Sequence, residues 1–234
     1  MRRDVQPELL DSLPPAASQA LGSRADLRRL NGLMGHAGIL AQALRRHHAV
    51  PSDRARPLRL VELGAGDGTL LLRIARRFAP AGVCAEVTLI DNLDLVTAET
   101  RAAFAALWWS VECVAADVFR WLDQAAPAVD VMLANLFLHH FTDSQLEKLL
   151  CLAAARTDLF IACEPRRSPL ALTASRMLWF VGCNGITRHD APVSVRAGFA
   201  GRDLSALWPA DGVWELSEHA AGWLSHCFIA KRHV

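Results

Sequence analysis

The densest chemical signal in the chain is Glu62-Leu63-Gly64-Ala65-Gly66-Asp67-Gly68-Thr69, set between an apolar run and a helical stretch. Glycines there let the backbone turn tightly and approach a ligand closely, and the helix start that follows offers free N–H groups. A dinucleotide fold asks for G-x-G-x-x-G. Here the spacing is G-x-G-x-G, with Thr69 in the third-glycine position. A carboxylate at Glu62 would repel a pyrophosphate but suits a ligand that carries an ammonium and a sulfonium. The next apolar run ends in Asp91, 23 positions beyond Gly68, where a carboxylate can accept both hydroxyls of a ribose. Asp117, followed by Val118 and Phe119, suits the amine edge and the face of an adenine. Each of these residues alone is an ordinary turn or strand cap; their order along the chain favours the ligand reading.

Two further groups point to the substrate side. Asn135-Leu136-Phe137-Leu138-His139-His140-Phe141 pairs two histidines, either of which titrates near neutral pH and can act as a general base; the alternative is that they cap the strand. That loop holds no Cys, Asp or Glu as a third ligand, so no metal site is expected in it. Glu164-Pro165-Arg166-Arg167-Ser168 and Cys183-Asn184-Gly185-Ile186-Thr187-Arg188-His189-Asp190 are polar clusters beyond a later apolar run. His140, His139, His189 and Glu164 are the base candidates, in that order, and Arg166 and Arg188 the substrate-binding ones, with Arg196 a further basic residue. His189 and Asp190 are not a dyad by adjacency alone, since neighbouring side chains usually diverge.

The elements that must position these groups follow from periodicity. Residues 1–23, with Pro7, Pro14, Pro15 and Gly22, read as a loose or partly helical lead-in, and Asp26 to about His48 has helical spacing interrupted by Gly32, Gly35 and Gly38. Asn31, Gly32, Met34, Gly35 and His36 form a patch whose glycines weaken a helix by ~1 kcal/mol each, which close approach to a ligand or helix packing would explain; Met34 and His36 are therefore substrate-side candidates. Residues 51–57 form a linker. Then strands alternate with helices: strands at 58–63, 84–91, 110–115, 129–136 and 159–163, helices at 67–78, 93–107, 144–155 and 170–181. This alternation predicts a parallel α/β sheet. The last two runs, 213–218 and 224–231, are too close for a crossover and predict an antiparallel hairpin. Residues 183–203 are expected to form part of a lid.

At Glu62–Gly68, Asp91, Asp117 and the 129–141 block the chain resembles the class I S-adenosylmethionine-dependent methyltransferases, over about residues 58–234. The pair at His139-His140 is similar to the small-molecule branch, including the ubiquinone and menaquinone enzymes. The resemblance implies a Rossmann-like three-layer sandwich with a seven-stranded, mostly parallel sheet, one antiparallel strand from the C-terminal hairpin, and an N-terminal helical lid over residues 1–57. It implies that Gly64, Ala65, Gly66 and Gly68 back the amino-acid part of S-adenosylmethionine with Glu62 near its ammonium. Asp91 would hold the ribose, Asn92 or Leu93 would lie beside the adenine, Asp117 and Val118 would fix its edge, and Asn135 would offer its carbonyl.

Composition sets the outer bounds. The 234 residues are 52% hydrophobic and 21% charged, enough for a substantial core and unlike a disordered chain. Twenty-five basic and 24 acidic residues leave a charge of +1, without the basic excess of a broad nucleic-acid binder. There is no Tyr to act as acid, base or radical, and Lys occurs only at Lys148 and Lys231. The six cysteines (84, 113, 151, 163, 183 and 227) show no C-x-x-C spacing and read as reduced residues of a cytoplasmic protein. The reading is methylation of a small molecule in secondary metabolism, at the hydroxyl of an aromatic or polyketide-like phenol. C-methylation of an electron-rich ring, an NAD-dependent oxidoreductase and a non-catalytic methyltransferase-like partner are the alternatives. No membrane span or nucleic-acid partner is expected, and the oligomeric state stays open.

Overall fold

The computed structural model describes residues 1–47, 56–124 and 128–233. Seven strands form one sheet: β1 (Leu58–Leu63), β2 (Ala85–Asp91), β3 (Trp109–Ala115), β4 (Val129–Asn135), β5 (Thr157–Pro165), β6 (Trp214–Ala221) and β7 (Ser225–Arg232). Their spatial order is β3-β2-β1-β4-β5-β7-β6. Neighbours from β3 to β5 pair in parallel, and β7 runs antiparallel to both β5 and β6. The sheet is thus the expected seven-stranded mixed one. Strands β1, β4 and β5 are buried on both faces, which is why they read as near-continuous apolar runs.

Two cores follow from strand alternation. Leu58 and Leu60 face a cluster completed by α3 (His36–His47) and α4 (Thr69–Phe78), whereas Val61 and Leu63 face one completed by α6 (Val118–Asp123), α7 (Asp143–Ala154) and α10 (Asp203–Leu207). Helix α4 alone buries Leu71, Ile74 and Phe78 almost fully, each worth ~1.5–3 kcal/mol of transfer free energy. Parity sends Glu62 to the α3/α4 face, one residue before the sheet's edge.

Chain order reverses between β1 and β4. In open α/β sheets the crevice outside the strands' carboxyl ends at such a switch point is where ligands sit. All the residues singled out at strand exits (Glu62, Asp91, Asn135 and Glu164) lie on this edge.

Several element boundaries differ from the periodicity. The stretch expected as one helix from Asp26 to His48 is two: α2 (Ser18–Leu33), starting earlier than expected, and α3, separated at Met34-Gly35, where Gly35 takes φ +71°. The 51–57 linker lies, but for Arg56 and Pro57, outside the described residues, as does His48. The lead-in also carries a short α1 (Leu9–Ser12). The helix expected over 93–107 shortens to α5 (Ala98–Ala105), because Asp91 ties down the Leu93 N–H and Thr97 caps the helix by accepting from the Thr100 N–H. The stretch expected as one helix over 170–181 is α8 (Pro169–Arg176) followed by a short 3-10 turn, Leu178–Val181. The polar 183–203 segment is not an open loop: α9 (Gly185–Ala197) fills most of it and buries Thr187, Asp190, Val195 and Ala197.

Candidate active site

The glycine turn is held from both sides. Gly64, Gly66 and Gly68 all have positive φ, a region where L side chains are strained. A Cβ on Gly64 would meet the Phe137 ring at 2.2 Å, whereas one on Gly66 would meet nothing within 4 Å. The turn is therefore closed on the β4 side and open above Gly66. Asp91 sets its height: Oδ2 accepts the Gly66 N–H at 2.9 Å and Oδ1 the Leu93 N–H at 3.1 Å. Each oxygen keeps a further lone pair, enough for two neighbouring hydroxyls. Asp67 accepts from the Thr69 N–H and hydroxyl at the start of α4, and pairs with Arg28 of α2 at 2.8 Å.

Glu62 is the site's unsatisfied carboxyl group. It is 3% exposed, and Oε2 has no hydrogen-bond partner among the described residues. Burial, then the nearby Asp67 and Asp91, push its carboxyl up to about 8. A buried acid with no donor is costly, and a cationic group above the turn would relieve it. The turn, Asp91 and Glu62 thus fit the amino-acid and ribose parts of S-adenosylmethionine. Beside them, Gly66, Leu89, Asp91, Leu93 and Val114 line a narrow cleft of about 10 Å³, water-sized in this conformation. Leu93 lines it and is exposed, as is the neighbouring Asn92. Asp117 is exposed and spends one oxygen capping α6 through the Arg120 N–H, leaving the other free; Val118 is buried beneath. Ala65, 8% exposed, is fixed by its N–H to the Ile90 carbonyl.

Helix α2 lies over this edge. Besides the Arg28–Asp67 pair, Asn31 Oδ1 accepts from Asn135 Nδ2 at 3.3 Å, while Asn135 Oδ1 is buried without a partner. Met34 caps α2, half-buried. His36 is fully buried, with Nε2 2.8 Å from the Ser225 hydroxyl, and burial pulls its pKa down to about 4. It is a neutral core histidine rather than a residue of an open lid.

The β4 exit is built on a strained turn. Leu136 takes φ +49°, which aims the Phe137 and Leu138 N–H groups at Glu164 Oε1, each at 3.0 Å. Glu164 Oε2 meets His139 Nδ1 at 2.8 Å. Glu164 is fully buried; although burial raises its pKa, His139 and the two N–H donors outweigh it and hold it below the ordinary value. With its oxygens engaged, it positions the turn instead of offering an open base.

The residue that sequence reasoning missed is Glu8. The N-terminal segment crosses to this exit, fastened by Arg3, which donates to the carbonyls of Ala197 and Phe141 and pairs with Asp143. Asp190 of α9 accepts the N–H groups of Leu9 and Leu10. Glu8 Oε1 is thereby brought 3.3 Å from His139 Nε2, and Oε2 3.4 Å from His140 Nε2. Burial raises the Glu8 pKa, but both histidines outweigh it and hold it well below the ordinary value. His139 is lowered by burial yet raised more by Glu164 and Glu8, to about 9, so it is an imidazolium at neutral pH. His140, with its side chain 30% exposed, is the histidine that faces outward. Nothing in a single sequence pairs residue 8 with residue 139.

His189 does reach its neighbour, with Nδ1 2.9 Å from Asp190 Oδ1. It is half-exposed on α9, and Asp190 is committed to α1. Arg188 is exposed on the same helix. Arg166 lies on the far side of β5, where Arg166, Ser168, Gly201, His219 and His226 line a cavity of about 320 Å³. Among the substrate-side candidates, only His139, His140 and Glu164 therefore converge.

Residues 60–157 match the model of a methyltransferase domain. Over those residues the chain carries a methyltransferase domain. No curated relative matches the sequence. Among solved structures, an O-methyltransferase family protein from Burkholderia thailandensis superposes with a TM-score of 0.58 at 17% identity, over 94% of this chain and 64% of that one. The plantazolicin methyltransferase BamL, solved with S-adenosylhomocysteine and a triazolic substrate analogue, gives 0.64 at 11% identity over 95% and 92%. Magnesium protoporphyrin IX methyltransferase from Synechocystis PCC 6803, with bound S-adenosylhomocysteine, gives 0.53 at 14% over 98% and 89%. At these identities the likeness is one of fold. The chain spans less than two thirds of the Burkholderia protein, and 56% of a structurally similar Nostoc punctiforme protein. No helix of the described residues is long and apolar enough to cross a membrane.

Proposed function

We propose that the protein transfers a methyl group from S-adenosylmethionine to a small molecule, at the hydroxyl of an aromatic or polyketide-like phenol. The observation that carries the cofactor half is Glu62, a buried carboxyl at the end of β1 whose Oε2 has no hydrogen-bond partner among the described residues, beside the open Gly66 turn. The sulfonium supplies an activated methyl, so the protein's task is alignment and proton handling. Asp91 holds the ribose and Glu62 the ammonium, and α2 closes over both through Arg28–Asp67 and Asn31–Asn135.

The acceptor half rests on the β4 exit. His139 is locked as a cation between Glu8 and Glu164, which leaves His140 to take the phenol's proton. A phenol with a pKa near ~10 needs such a base at neutral pH. That two of the structural neighbours are described as O-methyltransferases supports an oxygen acceptor. The test is incubation with S-adenosylmethionine and a panel of phenols, with product mass gain and S-adenosylhomocysteine formation read together. Formation of both with a phenol supports the reading; a product methylated only at ring carbon corrects the atom.

A further inference from the structure

We propose that Glu8, His139 and His140 form a binding site for one divalent cation of the zinc class. The three side chains place a carboxylate oxygen and two imidazole nitrogens all within 4.8 Å of one another, and a cation that binds there displaces to solvent the proton that His139 otherwise carries. The spacings between donors are the informative quantity. His139 Nε2 to Glu8 Oε1 is 3.3 Å and His140 Nε2 to Glu8 Oε2 is 3.4 Å. Charge-assisted hydrogen bonds of this type run shorter, at ~2.7–2.9 Å. A tetrahedron with ~2.0–2.1 Å metal–ligand bonds has edges of ~3.3–3.4 Å, so each imidazole already stands one such edge from an oxygen of the carboxylate, and one oxygen with both nitrogens needs to close only from within 4.8 Å. The His140 Nε2 atom is itself buried and without a hydrogen-bond partner among the described residues.

The surroundings are those of a supported ligand set. His139 directs Nδ1 at Glu164 Oε2, 2.8 Å away, and Glu164 is fixed by two backbone N–H groups. This is the carboxylate–histidine arrangement that sets the tautomer and orientation of a metal-bound imidazole. The Ser194 hydroxyl donates to Glu8 Oε1, holding the third ligand from α9. Two nitrogens and one oxygen favour zinc, cobalt or nickel over magnesium or calcium. Three protein ligands leave one coordination position open, on the side where His140 is partly exposed. The loop alone lacked a third ligand; the N-terminal segment supplies it. If His140 is the acceptor-side base of the proposed methyl transfer, a cation on its buried Nε2 leaves the ring proton on Nδ1, so neither nitrogen can accept the substrate's proton and occupancy shuts transfer off.

The test uses chelator-treated, dialysed full-length protein without cofactor or acceptor, so its outcome does not depend on methyl transfer. ZnCl2 is titrated calorimetrically, and CoCl2 is followed by absorbance. The expected result is one ion per chain, with cobalt ligand-field bands and no thiolate charge-transfer band, which separates this site from the free cysteines. Glu164→Gln should weaken binding by ~10–100-fold, and Glu8→Gln and His140→Ala by more; His219→Ala should change nothing. His140→Ala leaves the N-terminal fastening by Arg3 and Asp190 in place, so the proposal stays testable if Glu8→Gln misfolds. Absence of one-to-one binding, a thiolate band, or unchanged affinity in His140→Ala overturns it.

Discussion

Replacing Glu62 by Gln isolates the contribution of one buried charge. In the wild type, burial and two neighbouring carboxylates push the Glu62 pKa up to about 8, so at pH 7 roughly one molecule in ten carries the charge. Binding a cationic ammonium must first ionise Glu62, which costs about 1.4 kcal/mol for one pH unit. It then gains a buried ion pair, whose loss by removal of one partner costs about 3–5 kcal/mol. The net expectation for Glu62→Gln is a loss of about 1.6–3.6 kcal/mol, or roughly 15- to 450-fold in affinity for S-adenosylhomocysteine. Calorimetry in buffers of different ionisation enthalpy adds a second readout. The wild type should release a proton on binding and bind more tightly as pH rises from 6 to 8, while the variant should do neither. The sign for stability is the opposite one. An acid whose folded pKa is raised destabilises progressively as pH climbs from its unfolded value of 4.5 towards 8. Without ligand, Glu62→Gln should therefore match the wild type near pH 4 and exceed it in stability at pH 8. Equal affinities for the two proteins, or wild-type affinity independent of pH, would refute this account of Glu62.

Other outcomes can be read with similar assays. Gly64→Ala combines a left-handed φ with a Cβ against Phe137, and should cost roughly 2–4 kcal/mol in chemical denaturation; a neutral change would mean that Phe137 moves freely. His140→Ala should lower turnover on a methylated phenol by about 10²–10⁴-fold with cofactor affinity nearly unchanged, and full activity removes it as the base. Asp26, 5% exposed, accepts from the Asn184 N–H and the Thr187 hydroxyl and pairs with Arg29. Burial raises its pKa but these donors outweigh it and lower it below 3.8, so its stabilisation is present above that value and lost as pH falls below it. Asp26→Ala should destabilise by about 2–4 kcal/mol at pH 7 and by less near pH 2, measured as the denaturation midpoint at each pH.

What the sequence disclosed was whatever local pattern encodes. The β1–glycine–α4 unit and the two-sided burial of β4 and β5 leave apolar runs and glycines that can be read directly, and the short gap before β7 betrays the antiparallel strand. The single helix expected over 26–48 went astray because Gly35 can turn left-handed without disturbing the apolar spacing on either side. Asp190 and Glu164 looked like exposed polar candidates because burial is invisible in a linear pattern: one ties α1 to α9 and the other supports the His139 turn. Glu8 had no signal at all. Its role arises from a contact between positions 131 apart, and one of three acids in a proline-rich lead-in carries no periodicity that points to the β4 exit.

The central claim is that the turn from Glu62 to Gly68, with Asp91, holds S-adenosylmethionine and not a dinucleotide. Titration of the full-length protein with S-adenosylhomocysteine and, separately, with NAD, each against wild type and Asp91→Ala, tests it most directly. The account predicts one-to-one binding of S-adenosylhomocysteine that Asp91→Ala abolishes, and no heat with NAD. Binding of NAD in preference, or undiminished S-adenosylhomocysteine affinity in Asp91→Ala, would contradict it.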